Sequence, residues 1–600
     1  MIAIMPAPDY SSRLKTLRAE LTKLGYDGYF IPMSDEYQSE YVPSSAQRVS
    51  FMSGFTGSAA FIIVMMDKAL FFTDGRYTLQ ASQQIPGSLY SIYDGTVTSP
   101  TDWLSENAKA KMKLAYDPWL HTAAGVERLQ KALAKVGAEL VPFERNLVDV
   151  LWTERPAPPS EPIFAHEMVY AGKTSGEKRH VIAGELKRDG LSAAVITDCA
   201  SIAWLLNVRG NDIPNTPLPL SFAVLHTDAS VDWFVDPLKL TKGLQHHLGS
   251  QVTPREPSEF KSALDKLANA EQAIRVDPSE TASWIIERLK NADAKLDLGD
   301  DPCSLPKACK NPVELEGMAT AHRRDGAALV KFFTWLEHSI LSGSVTEISA
   351  GEKLSEFRSA NNLYRGPSFD TISGAGPNGA IVHYRASQSS NRKLEKGQFY
   401  LLDSGGQYLD GTTDVTRTVA IGSITQEMRE RFTRVLKGHI ALAMIRFPEG
   451  TTGAELDVLA RQYLWAAGVD YNHGTGHGVG SYLGVHEGPQ GISKRNRVAL
   501  KPGMVVSNEP GYYKAGHYGI RIENLQYVTE AAEIGGGERK MLGFETLTLV
   551  PIDRRAIDTF MLSESERSWI NTYHTRVREA LRPMMDKTET NWLESATAAL

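Results

Sequence analysis

Cysteine is scarce in this chain, with three residues among 600. Such sparse, odd-numbered usage excludes a disulfide-built scaffold and is typical of a protein that stays in a reducing cytosol. Basic residues do not exceed acidic ones either, since 64 Lys and Arg stand against 71 Asp and Glu. The net charge of −7 provides no positive field for a phosphate backbone, so we predict no nucleic-acid partner.

Long apolar runs are also missing. Stretches such as Phe61–Met66 are far shorter than the roughly 20 residues of a membrane-spanning helix, so we predict no membrane association. The amino-terminal MIAIMPAPDY has neither a basic segment nor a long apolar one, and we therefore predict no signal peptide and a cytoplasmic protein. With 42% hydrophobic and 22% charged residues the chain is ordinary globular protein, long enough for several domains.

Two proline-rich segments divide the chain. The first, PAPPSEP at 156–162, is an extended linker by composition. The second, PCSLPKACKNP at 302–312, ends with Asn311 and Pro312, an N-cap followed by a first-turn proline, so a helix should begin there. The predicted domains are therefore 1–155, 156–310 and 311–560, followed by a carboxy-terminal helix and polar tail at 561–600.

The first two segments repeat one plan. Each opens with an amphipathic helix that ends at a glycine and leads into a short apolar strand, Tyr29–Pro32 in one and Ala193–Thr197 in the other. Hairpin patterns follow at matching offsets in both segments. We therefore predict two similar α/β domains, followed by a third domain in which helices alternate with hairpins, in an α/β (α+β) protein.

The segment LLDSGGQYLDGTTDVTRTVAIG at 401–422 carries two separated aspartates. Its turn residues predict that Asp403 and Asp414 lie on the two strands of a hairpin, where antiparallel pairing can bring both carboxylates to one face. Solvated hairpin carboxylates are the simpler interpretation. The apolar residues around them favour burial instead, and buried carboxylates must be paired or bind metal.

A glycine-alternating segment, NHGTGHGVGSYLGVHEGP at 472–489, contains His473, His477 and His486. His473 and His477 have the spacing of ligands on a helix, but the glycines between them exclude a helix. The backbone is therefore expected to approach something closely. Its imidazoles could ligate a metal or act as general acids and bases.

Further candidates follow nearby. Glu509 precedes Pro-Gly, and Glu523 ends an alternating strand Gly519–Asn524 in which Arg521 shares its face. His383 is predicted at the end of a strand after a glycine loop. One imidazole and four carboxylates form the candidate ligand set. Carboxylate-rich sets suit Mn²⁺, whereas zinc prefers cysteine and histidine ligands. Two ions would balance this charge and fit two-metal hydrolysis. The set is Asp403, Asp414, His477, Glu509 and Glu523.

The motifs HY, DSGGQYLDGTTDVTRT, HGTGHGVG, VHEGP, NEPGYY and GIRIEN, in this order, closely resemble the Xaa-Pro aminopeptidase (aminopeptidase P) family. This family belongs to the pita-bread metallopeptidases, with prolidase, methionine aminopeptidase and creatinase. The resemblance extends to the three-domain layout of the cytosolic form. It implies two creatinase/prolidase-like domains before a pita-bread catalytic domain, two Mn²⁺ ions (Co²⁺ or Zn²⁺ being possible substitutes), and hydrolysis of the amino-terminal Xaa-Pro bond by a water bridging the two ions.

The resemblance also implies roles for single residues. Asp414 and Glu523 would bridge the two ions. Asp403 would complete the ligands of one ion, and His477 with Glu509 would complete those of the other. Glu509 would also relay a proton. The catalytic histidines would be His383, His473 and His486, and the substrate would contact these three together with Arg76 of the motif TDGRY, Tyr512 and Arg521.

A homodimer is implied as well, and aromatic Trp569 and Tyr573 would support one if they are exposed rather than packed within the chain. Three alternatives remain open. A prolidase-like dipeptidase would have one amino-terminal domain before the catalytic one, so residues 163–310 would be an extra segment. An inactive pita-bread binding module would not need the five ligands, and neither would a creatinase-like enzyme.

Overall fold

The computed structural model describes residues 9–600. Residues 1–8, where the sequence predicts no signal peptide, lie outside the described part. The chain folds as two compact units, the first made of 9–165, 173–214 and 218–303 and the second of 166–172, 215–217 and 304–600. Across residues 9–600 there is no helix with the length and apolar character needed to cross a bilayer.

The first unit begins with a six-stranded sheet flanked by helices. Helix α1 starts where the Asp9 side chain accepts the Ser12 amide, and it ends at Gly25 in the left-handed conformation that favours glycine. Its Leu14, Leu17 and Leu21 are buried, which gives the predicted amphipathic helix its apolar face, whereas Leu24 in the last turn is 41% exposed. The elements are α1 (Tyr10–Leu24), β1 (Gly28–Pro32), α2 (Arg48–Ser53), β2 (Phe61–Met65), β3 (Ala69–Thr73), α3 (Thr78–Gln84), β4 (Ser91–Asp94), α4 (Pro100–Asn107), β5 (Lys113–Tyr116), α5 (Ala123–Ala134), β6 (Glu139–Pro142) and α6 (Leu147–Leu151).

A second six-stranded sheet follows after the proline-rich segment 156–162, which has no regular secondary structure. The elements are β7 (Phe164–Ala165), α7 (Met168–Ala171, part of the second unit), α8 (Ser175–Arg188), β8 (Leu191–Ile196), α9 (Cys199–Leu206), β9 (Val208–Arg209), β10 (Phe222–His226), β11 (Val231–Phe234), α10 (Leu244–Leu248), β12 (Val252–Arg255), α11 (Phe260–Leu267), β13 (Ala273–Val276), α12 (Ser283–Asn291) and β14 (Leu296–Leu298).

The two sheets have one topology. The first has the strand order β4-β3-β2-β1-β5-β6 and the second β12-β11-β10-β8-β13-β14. Strand β1 pairs antiparallel with β2 and parallel with β5, and β8 pairs in the same senses with β10 and β13. The predicted repetition of one α/β plan is therefore confirmed at the level of strand order and direction.

The second unit combines long helices with several small antiparallel sheets. Its sheets have the orders β15-β18-β19, β16-β17-β20, β22-β21-β23-β26-β27 and β24-β25. The elements are α13 (Ser304–Ala308), α14 (Pro312–Ser339), α15 (Glu347–Ser359), β15 (Tyr364–Pro367), β16 (Ile372–Ala375), β17 (Gln398–Ser404), β18 (Gly406–Tyr408), β19 (Gly411–Thr412), β20 (Val415–Ile421), α16 (Gln426–Met444), α17 (Gly453–Trp465), β21 (Gly476–Gly478), β22 (Glu487–Ile492), β23 (Val505–Asn508), β24 (Gly511–Lys514), β25 (Tyr518–Arg521), β26 (Asn524–Val528), β27 (Phe544–Thr546), α18 (Glu564–Leu581) and α19 (Lys587–Ala596).

Helix α14 begins at Pro312, as predicted. The Asn311 side chain accepts the amides of Val313 and Glu314, and the Glu314 side chain accepts the Asn311 amide, which completes a capping box. The core-facing side of α14 contributes Phe332 and Leu336 to one apolar cluster. Residues of α16 and α18 form a second cluster with Ile520 and Ile522 of the sheet region. These two clusters enclose the hairpin of β17 and β20.

The carboxy-terminal prediction is only partly right. Helix α18 forms as expected, but the residues predicted as a polar tail form a second helix, α19, in which Leu593 is buried and the Trp592 indole donates to Glu337 at 2.8 Å. Tyr573 is 5% exposed, and Trp569 stacks on it with ring centroids 5.3 Å apart. Of the two alternatives for these aromatics, packing within the chain is the one observed, since Tyr573 is buried and Trp569 is half-buried against the same apolar cluster.

Candidate metal centre and active site

Asp403 lies on one strand of the predicted hairpin and Asp414 lies immediately before the other. Asp403 is in β17 opposite Thr416 of β20, and Asp414 directly precedes β20. Because side chains alternate along a strand, Asp414 and Thr416, two residues apart, point to the same side. Both aspartates are buried, so the interpretation as solvated carboxylates is wrong.

His477 is held in a strand whose neighbours come unusually close. A Cβ atom at Gly476 would lie 2.0 Å from the Ser507 carbonyl oxygen, and one at Gly478 would lie 2.2 Å from that of Glu487. Only glycine fits such an approach, which explains the glycines on either side of His477. The His477 Nδ1 donates to the Gly478 carbonyl at 2.9 Å, so the ring orientation is fixed and Nε2 is left for another partner.

Glu509 and Glu523 lie at strand ends. The Glu509 amide donates to the Thr475 carbonyl at 2.8 Å. The Glu523 amide donates to the Thr416 carbonyl at 3.1 Å, and the Thr416 hydroxyl donates to the Glu523 carboxylate at 2.8 Å. The predicted single strand Gly519–Asn524 is wrong, because the chain passes from β25, paired with β24, into β26, paired with β23, and Glu523 lies at the change.

These side chains converge. Ligand atoms of Asp414, His477 and Glu523 all lie within 4.8 Å of one another. The His477 Nε2 is 3.5 Å from Asp414 Oδ2 and 3.6 Å from Glu509 Oε1. Asp403 joins the group electrostatically, since its charge acts on both Glu509 and Glu523.

The electrostatics of the cluster reflect excess negative charge. Burial raises the pKa of Asp403 to about 6 although Arg521 opposes this, and burial raises the pKa of Glu509 to about 7. Burial and the charge of Asp414 raise the pKa of Glu523 well above the usual range of a glutamate. Burial lowers the pKa of His477, but Asp414 and Glu509 outweigh it and bring this pKa to about 9. The cluster therefore favours any added positive charge.

The residues fit a divalent cation. Asp403 Oδ1 and Asp414 Oδ1 are buried without a hydrogen-bond partner, which is unusual for buried oxygens that bind nothing. Carboxylate oxygens with one imidazole nitrogen are the donor set of Mn²⁺ and similar divalent ions. The five predicted ligands are thus chemically suited to the group that the resemblance implies.

The three remaining histidines differ in their surroundings. The His486 ring lies against His477, with ring centroids 4.4 Å apart. The His473 Nε2 lies 2.9 Å from the Tyr513 hydroxyl. His383 is not at a strand end as predicted, because a 3-10 segment, Gly376–Ala380, follows β16 and places it in a turn.

Arg521 connects the cluster to His473. Its Nη2 donates to Asp403 Oδ2 at 2.5 Å and to the Val382 carbonyl at 3.3 Å, next to His383, while its Nη1 donates to the Tyr513 hydroxyl at 2.7 Å. Sequence reasoning missed Tyr513. Its signal is the register of β24 with β25, which pairs Gly511 with Arg521 and so puts Tyr513 on the face of Arg521.

Two predicted substrate contacts lie elsewhere. Tyr512, on the opposite face of β24, packs near Tyr518 and beneath Arg431, whose guanidinium carbon is 5.4 Å from the ring centre. Arg76 belongs to the first unit, where its Nη2 is 2.7 Å from Asp74 Oδ2. A substrate role for either residue stays a prediction.

Known families match nearly the whole chain. Residues 316–530 match Metallopeptidase family M24, and 540–600 match the C-terminal region of peptidase M24. Residues 13–151 and 154–314 each match the Creatinase/Prolidase N-terminal domain. The expected fold class, two similar creatinase/prolidase-like α/β domains followed by a pita-bread domain, is confirmed by these matches and by the structural comparison below.

Relatives that match this chain over nearly its whole length indicate the same metallopeptidase family. The chain is 42% identical over 613 residues to the probable Xaa-Pro aminopeptidase P of Talaromyces marneffei, covering 99% of this chain and 93% of the relative. It is 42% identical to that of Aspergillus niger, covering 99% of both. The X-prolyl aminopeptidase of Caenorhabditis elegans, described as a cytosolic enzyme with a di-nuclear active site, superposes with a TM-score of 0.94 at 35% identity, covering 99% of this chain and 100% of that one. The chain therefore belongs to the Xaa-Pro aminopeptidase P family of the M24 metallopeptidases.

Proposed function

We propose that this protein is a metal-dependent aminopeptidase that hydrolyses the bond between the first residue of a peptide and a proline at the second position. The observation that carries the proposal is the group of four carboxylates and His477, in which Asp403, Asp414 and Glu523 are buried and Asp403 and Asp414 each have an unpartnered oxygen. The relatives described above support the same activity.

The five side chains would hold two divalent ions, with Mn²⁺ preferred. Asp414 and Glu523 would be shared between the ions, Asp403 would complete one set of ligands, and His477 with Glu509 the other. When bound, such ions lower the pKa of water and withdraw electron density from a carbonyl oxygen.

The protein's own groups would move the protons. Glu509, with its pKa raised by burial to about 7, is suited to take a proton from the attacking water and pass it to the leaving proline nitrogen. His486 or His383 would donate a hydrogen bond to the oxygen that gains charge in the transition state. His473, held by Tyr513, is proposed to contact the substrate, and Arg521 to hold the Asp403 carboxylate in place.

The preference for proline follows from its chemistry. The nitrogen of an Xaa-Pro bond carries no hydrogen, and the ring fixes φ. A site that required an N–H donor from the second residue would reject proline, whereas imidazole and phenol side chains can accept its ring. The free α-amine of the substrate would limit cleavage to the first residue.

The wider setting is also proposed. We place the protein in the cytoplasm, supported by the description of the nematode relative as cytosolic and by the absence of a disulfide among the three cysteines, all of which are in the described chain. The proposed domain divisions at about 155 and 310 are supported by family matches that end or begin near these positions. The division proposed at 560 has no such support, since the carboxy-terminal match begins at 540.

Removal of divalent metal should abolish activity. After dialysis against a chelator, release of arginine from an Arg-Pro-Pro peptide should fall to background, and Mn²⁺ should restore it more fully than Co²⁺ or Zn²⁺ because carboxylates dominate the ligand set. Circular dichroism of the metal-free protein controls for unfolding. Full activity without metal would contradict the proposal.

Variants of the metal ligands should lose bound metal, whereas a variant of a catalytic histidine should keep it. Asp414→Asn and Glu523→Gln should each lose bound metal and activity together, since one carboxylate serves two ions. His383→Ala should keep both ions while kcat falls by about 10²–10⁴-fold, the usual effect of a lost proton donor. The control Asp370→Asn removes a half-exposed carboxylate paired with Arg385 and should change neither quantity. Loss of metal in His383→Ala would show that the division is wrong.

Cleavage should depend on the second residue. Mass spectrometry should detect free arginine as the product from Arg-Pro-Pro peptides and none from an Arg-Ala-Pro peptide under the same conditions. Efficient cleavage of the alanine peptide would reject the proposed specificity whatever the metal requirement.

The protein is proposed to be a homodimer, on the family resemblance alone, since the buried Tyr573 and its stacked Trp569 give no support. Light scattering at micromolar concentration should report twice the mass of one chain. A fully active species with the mass of one chain would reject the dimer and leave the proposed chemistry unaffected.

A further inference from the structure

Arg417 is a buried cation with an unusual set of partners. It lies on β20, three residues after Asp414, and is 2% exposed. Among residues 9–600 no carboxylate forms an ion pair with it, and its guanidinium donates only to neutral oxygens. These are the carbonyls of Pro551 (3.0 Å), Thr416 (2.9 Å), Glu523 (2.6 Å) and Val550 (2.7 Å), the side chain of Asn524 (2.8 Å) and the hydroxyl of Tyr573 (2.9 Å).

Two of these acceptors fix the proposed bridging ligand. The Glu523 carbonyl accepts from Arg417, while its amide donates to the Thr416 carbonyl, so β20 holds the Glu523 peptide from both ends. Asn524, the next residue, accepts from the same guanidinium through its side chain. The place of the Glu523 carboxylate therefore depends on the orientation of Arg417.

Tyr573 brings the carboxy-terminal helix into this arrangement. Its hydroxyl accepts from Arg417 and donates to the Val550 carbonyl at 2.8 Å, and its ring is fixed by the stack with Trp569. The side-chain nitrogen Nδ2 of Asn524 lies 3.2 Å from the Nε2 of His439. Burial lowers the pKa of His439 to about 3, so the ring is neutral and this nitrogen accepts the hydrogen bond.

We propose that Arg417 and Tyr573 are positioning residues of the metal centre, through which helix α18 sets the position of Glu523 and thereby the affinity for divalent ions. The inference rests on the proposed function. A guanidinium is needed because its planar fork reaches Glu523, Asn524 and Tyr573 at once, whereas an ammonium group is a single point of charge.

The test is the binding of Mn²⁺ to the metal-free full-length protein, measured by isothermal titration calorimetry. Tyr573→Phe keeps the ring and its stack and removes only the hydroxyl. Loss of a group that orients a metal ligand typically weakens metal affinity about 10–100-fold, and we expect a weakening of about 10-fold here.

The matched control is Tyr90→Phe. Tyr90 is buried in the first unit and its hydroxyl donates to the Met52 carbonyl at 2.6 Å, so this variant also removes a buried, hydrogen-bonded hydroxyl. We expect both variants to lower the melting temperature of the metal-free protein, and only Tyr573→Phe to weaken Mn²⁺ binding. A merely structural Tyr573 would lower the melting temperature alone.

Arg417→Lys separates geometry from charge. It keeps the positive charge but not the fork, and we expect its affinity for Mn²⁺ to fall further than that of Tyr573→Phe. Wild-type affinity in Arg417→Lys would overturn the positioning role of Arg417. If this variant does not fold, Tyr573→Phe alone decides, and unchanged Mn²⁺ affinity in it overturns the inference.

The same titration distinguishes this inference from the proposed function. A wild-type protein that binds no Mn²⁺, Co²⁺ or Zn²⁺ would overturn the proposed function and this inference with it. Wild-type uptake of two ions, with unchanged Mn²⁺ affinity in Tyr573→Phe, would overturn the inference and leave the proposed function standing.

Discussion

Repulsion among four clustered carboxylates, three of them buried, is the constraint on which the second unit depends. Two unit charges 4 Å apart interact with about 4 kcal/mol at the effective dielectric of a protein surface, and burial increases the penalty for leaving them uncompensated. Arg521 compensates directly through Asp403, and Arg417 adds a positive charge behind Glu523 without contacting a carboxylate. The charge that remains is what makes the cluster a site for cations rather than a salt-bridged core.

Close backbone packing gives this cluster its rigidity. The glycines around His477 let neighbouring strands approach to distances that no side chain allows, and Gly519 does the same for the 3-10 segment before His383, where an added Cβ would lie 1.7 Å from the Gly379 carbonyl oxygen. Glu347 then holds the loop that follows, because its buried carboxylate accepts the amides of Ala375 and Arg392 and the hydroxyl of Tyr384. Catalytic groups on turns are thus fixed by the backbone on either side of them.

Local patterns predicted much of this structure, and what they missed depends on pairing. Helix α14 follows from Asn311 and Pro312, and the hairpin of Asp403 and Asp414 from its turn residues, because caps and turns are local. Tyr513 was missed in favour of Tyr512 because only the register with β25 decides which tyrosine shares the face of Arg521. The break at Glu523 needed knowledge of two sheets, and α19 was mistaken for a tail because its burial depends on α14, far away in sequence.

The ordered carboxy terminus has a consequence for biosynthesis. Leu600 packs against the core of the second unit and its amide donates to the Asn571 side chain at 2.9 Å, so this late segment is part of the packed structure. The first unit ends at residue 303 and can fold while the ribosome is still extending the chain. The second unit cannot complete its core until residues as late as Leu600 have emerged, so a chain truncated before α19 should consist of a folded amino-terminal half and an incomplete catalytic half.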